Sequence, residues 1–356
     1  MEYRNLGRTG TKVSMLCLGC LMFGGKTKES DSMDIIDRAI DAGINFLDTA
    51  NQYSLGKSEE VTGEALKRNG KRNRIVLATK VYRVMSEDDP NAAGASRRHI
   101  IEQCEASLKR LQTDYIDLYQ IHRPSVDVPI DETLRALDDL ITSGKVRYIG
   151  STTFPAWKLV ESLWASKEHG LNRFVSEQPP YNLLDRRVER EVIPMAQTYG
   201  FGIIPWSPIA GGLLTGKYRK DKMPDHGRYN DMTGKPWLES TFTREALDAV
   251  EKLIPLAEAK SCTLSQFALA WLMNRPAVTS PIIGPRTMEQ LDDNIRALDI
   301  TFAQDELDEI DAVIPPGRMI SPFYRDEGFG SHIYLSLIHI SEPTRRYAIS
   351  YAVFCL

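Results

Sequence analysis

Apolar positions along this chain fall into short, largely apolar runs separated by longer stretches of helical spacing. Runs at 13–18, 45–49, 75–80, 115–122, 146–151, 174–178, 202–206 and 279–283 are short and largely apolar. That is the pattern of strands covered on both faces. Between them, residues 32–42 place Met33, Ile36, Ala39 and Ile40 on one helical face. Residues 97–111 do the same with Ile100, Ile101, Cys104, Leu108 and Leu111, the stripe of an amphipathic helix. Helices are also predicted over 131–143, with Asp131 as its cap and Gly144 as its stop signal, and over 187–199. Strands alternating with helices eight times predict a closed parallel (β/α)8 TIM barrel of the α/β class.

Ahead of the first run, Gly7-Arg8-Thr9-Gly10 joins two short extended stretches and reads as an N-terminal β-hairpin. The long irregular stretch 216–239, with Pro224, Gly227, Gly234 and Pro236, follows the seventh strand. A loop of that length in a compact domain is expected to be a lid or binding loop. No composition shift divides the chain, so residues 1–334 are expected to form a single domain.

Composition narrows the function. With 42% hydrophobic and 26% charged residues the chain is that of an ordinary globular protein. A net charge of -4 without a basic block argues against a nucleic-acid surface. The start Met1-Glu2-Tyr3-Arg4 lacks the basic and apolar regions of a signal peptide. No apolar run approaches the ~20 residues of a membrane helix, so a cytoplasmic protein with no membrane partner is expected. Cys17 and Cys20 form a C-x-x-C, but with apolar neighbours and no second pair they read as packing residues, and no metal site is expected. Residues 335–356 resemble the translation of sequencing-adapter DNA and are expected to be a non-native tail, set aside from the fold.

In a barrel of this kind the chemistry stands at the C-terminal ends of the strands. Asp48 ends the second predicted strand, Lys80 the third and His122 the fourth, and Tyr53 follows just beyond the second. These four groups suit protonation of a carbonyl oxygen. A phenol, with an ordinary pKa of ~10, is a poor acid near neutrality unless a cation stabilises its phenolate. Lys80 can be that cation, Asp48 can hold it charged, and His122 can orient the carbonyl. Side chains cannot supply hydride, so a cofactor is required.

The motifs Asp48-Thr49-Ala50-x-x-Tyr53, Gly56-x-Ser58-Glu59, Ala78-Thr79-Lys80, Gln120-Ile121-His122-Arg123-Pro124 and Glu177-Gln178-Pro179-x-Tyr181-Asn182 resemble those of the aldo-keto reductases. The resemblance continues through Trp206-Ser207-Pro208-x-Ala210-x-Gly212-x-Leu214-Thr215-Gly216-Lys217 and Ile283-Gly284-x-Arg286-x-x-x-Gln290-x-x-x-Asn294. It implies reduction of a small aldehyde or ketone with NADP(H), Tyr53 being the general acid, tuned by Lys80 and Asp48, and His122 orienting the substrate. By the same resemblance Thr152 and Gln178 hold the nicotinamide carboxamide and Trp206 stacks on its ring. Ser207, Ile209, Gly211 and Lys217 surround the pyrophosphate, and Gly284, Arg286, Gln290 and Asn294 the adenosine end. Arg286 favours NADPH because a guanidinium pairs with a 2'-phosphate.

The chain departs from the family pattern at Thr152 and Thr153, where many members carry Ser-Asn, and at Asp293, where Glu is frequent. Phe23, Tyr82, Trp157 and the 216–239 loop are expected to wall the substrate pocket. Two other readings compete. Gly24-Gly25-Lys26-Thr27 suggests a phosphate loop, but Cys20 occupies the place of its first glycine. The family also includes potassium-channel β subunits, so a cofactor-binding regulatory protein with little turnover is the alternative. The sequence leaves the oligomeric state open.

Overall fold

A computed structural model describes residues 1–220, 224 and 241–321. The 335–356 tail and most of the 216–239 loop therefore lie outside the described residues. The chain opens with an antiparallel hairpin, β1 (Tyr3–Asn5) and β2 (Lys12–Ser14). Eight parallel strands follow: β3 (Cys17–Gly19), β4 (Phe46–Asp48), β5 (Val76–Val81), β6 (Ile116–Ile121), β7 (Val146–Thr152), β8 (Phe174–Gln178), β9 (Gly202–Ile203) and β10 (Ile282–Ile283). They pair in chain order, with β10 returning beside β3. The sheet closes between β9 and the approach to β10: Ile203 N–H donates to Ala277 O at 3.1 Å, and Thr279 N–H to Ile203 O at 2.8 Å. The (β/α)8 barrel expected from the alternation of runs is thus the observed fold.

Helices α1 (Glu29–Asp41), α2 (Lys57–Asn69), α3 (Arg97–Leu111), α4 (Ile130–Thr142), α5 (Ala156–His169) and α6 (Val192–Tyr199) alternate with the strands. The described residues between β9 and β10 include α7 (Arg244–Ala259) and α8 (Leu264–Met273), and α9 (Met288–Ile295) and α10 (Gln304–Val313) follow β10. The large core lies between strands and helices. A second apolar cluster fills the barrel itself, built from Cys17, Phe46, Val76, Ala78, Leu118, Val175 and Ile204.

The hairpin plugs the barrel from its N-terminal end, since Leu6 and Val13 belong to that interior cluster. Gly7 makes this possible. Its φ is +56°, and a Cβ there would lie 2.4 Å from Val175 O and 2.7 Å from Gly202 N, so any side chain would push the hairpin off the strands. Leu6 is fully buried. Replacing it with Ala is expected to lower unfolding free energy by about 2–5 kcal/mol, read as a lower urea midpoint with unchanged slope. An unchanged midpoint would show that the plug contributes nothing.

The structure corrects several boundaries. The run 13–18 is not one strand: Val13 belongs to β2 and Cys17 to β3, with Met15 and Leu16 between. Asp131 does not cap α4, whose N-cap is Pro129; it sits in the first turn, where a carboxylate faces the positive end of the helix dipole. Gly144 does follow the helix in a left-handed conformation, φ +76°. The helix expected over 187–199 begins as a short 3-10 turn at Arg187–Glu189 and becomes α6 only at Val192. Pro194 explains this, because its ring clashes with a helical carbonyl four residues earlier and is best accommodated in a first turn.

Candidate active site

Period-two alternation carries the interior cluster up into a polar layer. Phe46, Ala78 and Leu118 line the apolar barrel, so Asp48, Lys80 and Gln120 two residues later point the same way. Lys80 is fully buried, and Asp48 keeps 2% of its surface. The Lys80 ammonium donates to Asp48 Oδ1, to Thr49 O at 2.8 Å and to the Tyr53 hydroxyl at 3.1 Å. Asp48 Oδ2 accepts from the amides of Gln120 and Gln178, each at 3.0 Å. Burial is the largest influence on Lys80 and works to lower its pKa, but Asp48 and Tyr53 together outweigh it and hold Lys80 above its ordinary value. It is a charged, fixed cation.

Tyr53 stands on a sharp turn. Ser54, Leu55 and Gly56 all have positive φ, at 50°, 52° and 94°, and for the two non-glycine residues this costs roughly 1–2 kcal/mol each. The turn swings the phenol back over the barrel mouth, where its ring meets His122 edge-on at 5.7 Å between centroids. His122 follows β6 and is buried. Its pKa is pushed well below the usual histidine value by burial, and then by the charges of Arg123, Lys80 and Arg83. The imidazole is therefore neutral at physiological pH, with one N–H to donate.

The backs of β4 and β5 are braced by the Gly56-x-Ser58-Glu59 segment. The Ser58 hydroxyl donates to Cys20 O at 2.7 Å and meets Thr49 Oγ1 at 2.8 Å. Buried Glu59 accepts from Thr79 Oγ1 at 2.5 Å and from Arg110 Nε at 2.6 Å.

The remaining candidates stand round the same mouth. Thr152 ends β7, donating to His122 O at 2.8 Å and accepting from Arg123 Nη1 at 3.1 Å. Gln178 ends β8, and Trp206 follows β9 with Arg123 5.8 Å over its ring. Ser207, Ile209 and Gly211 lie in the turns after Trp206, and Lys217 is exposed beyond them. Gly284 and Arg286 lie in the loop after β10 and Gln290 and Asn294 on α9, with Arg286 N–H donating to Gln290 Oε1 at 2.8 Å. Since β9 and β10 are neighbours, these two groups occupy adjacent strand ends. Asp293 faces elsewhere: it accepts from Gln266 at 2.7 Å and ties α9 to the capping box of α8.

Some expectations do not hold. Phe23 is fully buried in the outer core and walls no pocket, whereas Tyr82 is half-buried and Trp157 is 52% exposed. Cys17 and Cys20 are fully buried, and burial pushes Cys20 up to about 12, in keeping with packing residues. No cluster of metal-ligating side chains occurs among the described residues, and no helix among them is long and apolar enough to cross a membrane. Sequence reading gave no role to Gln120, although it precedes His122 by two residues and so shares its face.

With this arrangement in hand, comparison with known proteins places the chain. The profile of the Aldo/keto reductase family matches residues 15–315, and the chain belongs to that family. It is 41% identical over 327 residues to the uncharacterized oxidoreductase YrpG of Bacillus subtilis, covering 89% of this chain and 97% of that protein. A probable voltage-gated potassium channel subunit beta of Oryza sativa subsp. japonica is 36% identical over 330 residues, 91% of this chain and 100% of the other. Versiconal hemiacetal acetate reductase of Aspergillus parasiticus is 36% identical over 356 residues, with 89% and 98% covered.

Proposed function

We propose that the protein is an oxidoreductase that reduces an aldehyde or ketone to an alcohol with NADPH, Tyr53 acting as general acid. The observation that carries this reading is the Lys80 ammonium, which links the Asp48 carboxylate to the Tyr53 hydroxyl inside a buried layer. The likeness to proteins named as an oxidoreductase and a reductase supports it.

The residues present fit a dinucleotide. Backbone hand changes from Ile209, at φ -106°, to Ala210 at +49°, and Gly211 and Gly212 follow at +65° and +108°. Backbone of changing hand can turn successive N–H groups toward one side, as anion-binding concavities do. At Gly284 nothing lies within 4 Å of where a Cβ would stand, leaving room for a ligand. Thr152, Gln178 and Trp206 would hold the nicotinamide end, Ser207, Ile209, Gly211 and Lys217 the pyrophosphate, and Gly284, Arg286, Gln290 and Asn294 the adenosine. When bound, the cofactor supplies hydride to the carbonyl carbon.

The chain's own side chains do the rest. Neutral His122 donates a hydrogen bond that sets the carbonyl oxygen beside Tyr53. Tyr53 gives that oxygen its proton, and the phenolate left behind is stabilised by the Lys80 ammonium, itself held by Asp48. In the oxidative direction the same phenolate takes the proton back.

Oxidation of NADPH in the presence of a panel of aldehydes and ketones tests this reading. Tight NADPH binding without turnover on any of them would instead favour a regulatory role, the reading supported by the channel-subunit relatives. Arg286→Ala is expected to raise Kd for NADPH by about tenfold or more, the effect of losing a charge-assisted pair, with little change for NADH. Equal effects on both would argue against a 2'-phosphate contact.

A further inference from the structure

Glu177 is a carboxyl group with no exposed surface, one residue before Gln178. Strict alternation from Val175, which lines the barrel interior, would send Glu177 inward and Gln178 outward. The structure shows the reverse. Pairing between β7 and β8 slips between Ile149 and Gly150, so that Gly150 faces Ser176 and Thr152 faces Gln178. Such a slip re-aims side chains: Gln178 reaches Asp48 and Gln120 inside the barrel, and Glu177 turns out beside the strand-to-helix turn after β7.

There the Glu177 carboxyl gathers that turn. Oε2 lies 2.5 Å from the Ser151 hydroxyl, and Oε1 accepts Phe154 N–H at 3.0 Å. Thr153 has φ +65° and gives its N–H to Gln178 O at 3.2 Å. A threonine held in that left-handed region needs outside support, and Glu177 supplies it from both flanks. Thr152, at the centre, is thereby fixed opposite Gln178.

Burial pushes the Glu177 pKa up to about 8, against the Ser151 and Phe154 bonds and the charge of Arg123. The surroundings satisfy either protonation state. As a carboxylic acid it donates to Ser151 Oγ, whose own hydrogen points to Ser176 O at 3.3 Å; as a carboxylate it accepts from Ser151. Neither form requires a heavy atom to move.

We infer that Glu177 is a positioning residue for the cofactor: its carboxyl group locks the turn after β7 across the register slip and holds Thr152 and Gln178 at a fixed spacing for the nicotinamide carboxamide. This rests on the dinucleotide reading above. Preorganised contacts bind more tightly than contacts that must first be ordered, so the loss appears in cofactor affinity more than in the chemical step. Because a neutral hydrogen-bonding group suffices, Gln is an adequate replacement and Ala is not.

The pH sign follows from the raised value. A carboxyl whose folded pKa lies above its unfolded one stabilises the fold fully at low pH, and that contribution is lost as pH rises toward about 8. Arg123 is the charged group among the described residues that bears on Glu177 and partly offsets the loss, and the groups bonded to it, Ser151 and Phe154, are neutral hydrogen-bond donors.

The test measures Kd for NADPH by tryptophan fluorescence, kcat at saturating NADPH, and urea midpoints between pH 5 and 9. Glu177→Ala is expected to raise Kd about tenfold or more, as two lost hydrogen bonds would, with kcat altered less than about threefold. Glu177→Gln is expected to restore Kd to within about twofold and to flatten the decline of the midpoint with rising pH. A folded Glu177→Ala protein with native Kd, or a Glu177→Gln protein as impaired as Glu177→Ala, would overturn the inference. Should Glu177→Ala fail to fold, Ser151→Ala removes one bond of the same set; it is expected to raise Kd severalfold, and a native Kd contradicts the proposal. If the native protein itself binds no NADPH, the dinucleotide reading fails, and the clamp is then judged by the midpoints, where identical pH profiles for native and Glu177→Gln proteins overturn it.

Discussion

Tyr53→Phe is expected to lower kcat for carbonyl reduction by about 10²–10⁴-fold, the usual contribution of a positioned general acid, while Kd for NADPH stays within about twofold. The substitution deletes one oxygen. The ring that meets His122 edge-on is kept, and so is the turn through Ser54 and Leu55 that carries it. What disappears is the hydroxyl bonded to Lys80 and the proton it delivers. Stopped-flow oxidation of NADPH with the most active carbonyl compound, beside a fluorescence titration of the cofactor, separates the two quantities. Undiminished turnover would remove Tyr53 from the mechanism.

Lys80→Met is expected to do more damage, because it acts on the fold as well as the chemistry. Lys80 and Asp48 lie in a nearly dry layer. Removing the ammonium leaves the Asp48 carboxylate with the Gln120 and Gln178 amides but no counter-charge. Breaking a buried pair from one side typically costs about 3–5 kcal/mol, so the urea midpoint should fall sharply together with turnover. The double variant Lys80→Met with Asp48→Asn has no stranded charge and is expected to recover most of the stability and none of the activity. A single variant as stable as the native protein would show that the pair is not the buried electrostatic unit described above.

The four central side chains were legible in the sequence for a simple reason. Asp48, Lys80 and His122 each end an apolar run, and a parallel barrel delivers strand ends to one face. Gln120 was equally accessible by alternation with His122, but a lone glutamine gives no chemical cue. Gln178 illustrates the opposite case: only its place in the family motif points to it, since alternation from Val175 would turn it away from the site and the register slip at Ile149 and Gly150 brings it in. A slip depends on two strands at once and leaves no mark in either run.

The same holds for the split of run 13–18. Val13 plugs the barrel and Cys17 lines it, both in one apolar cluster, so hydrophobicity passes from hairpin to barrel without a break. Phe23 was misplaced because a residue after a barrel strand can turn outward into the helix layer as readily as toward the mouth. The neutrality of His122 is likewise a product of assembly, since burial comes from the fold and two of the three cations acting on it, Lys80 and Arg83, arrive from β5 and the loop beyond it.

Hydride transfer to a carbonyl carbon with a proton from Tyr53 leaves an isotopic trace in the product. The protein is incubated with NADPH deuterated at both nicotinamide C4 positions and a carbonyl compound that it consumes, and the product is examined by mass spectrometry. The expected product is an alcohol bearing deuterium on the former carbonyl carbon, formed by the native protein and nearly absent with Tyr53→Phe. Tight NADPH binding without labelled alcohol from any aldehyde or ketone offered would contradict it.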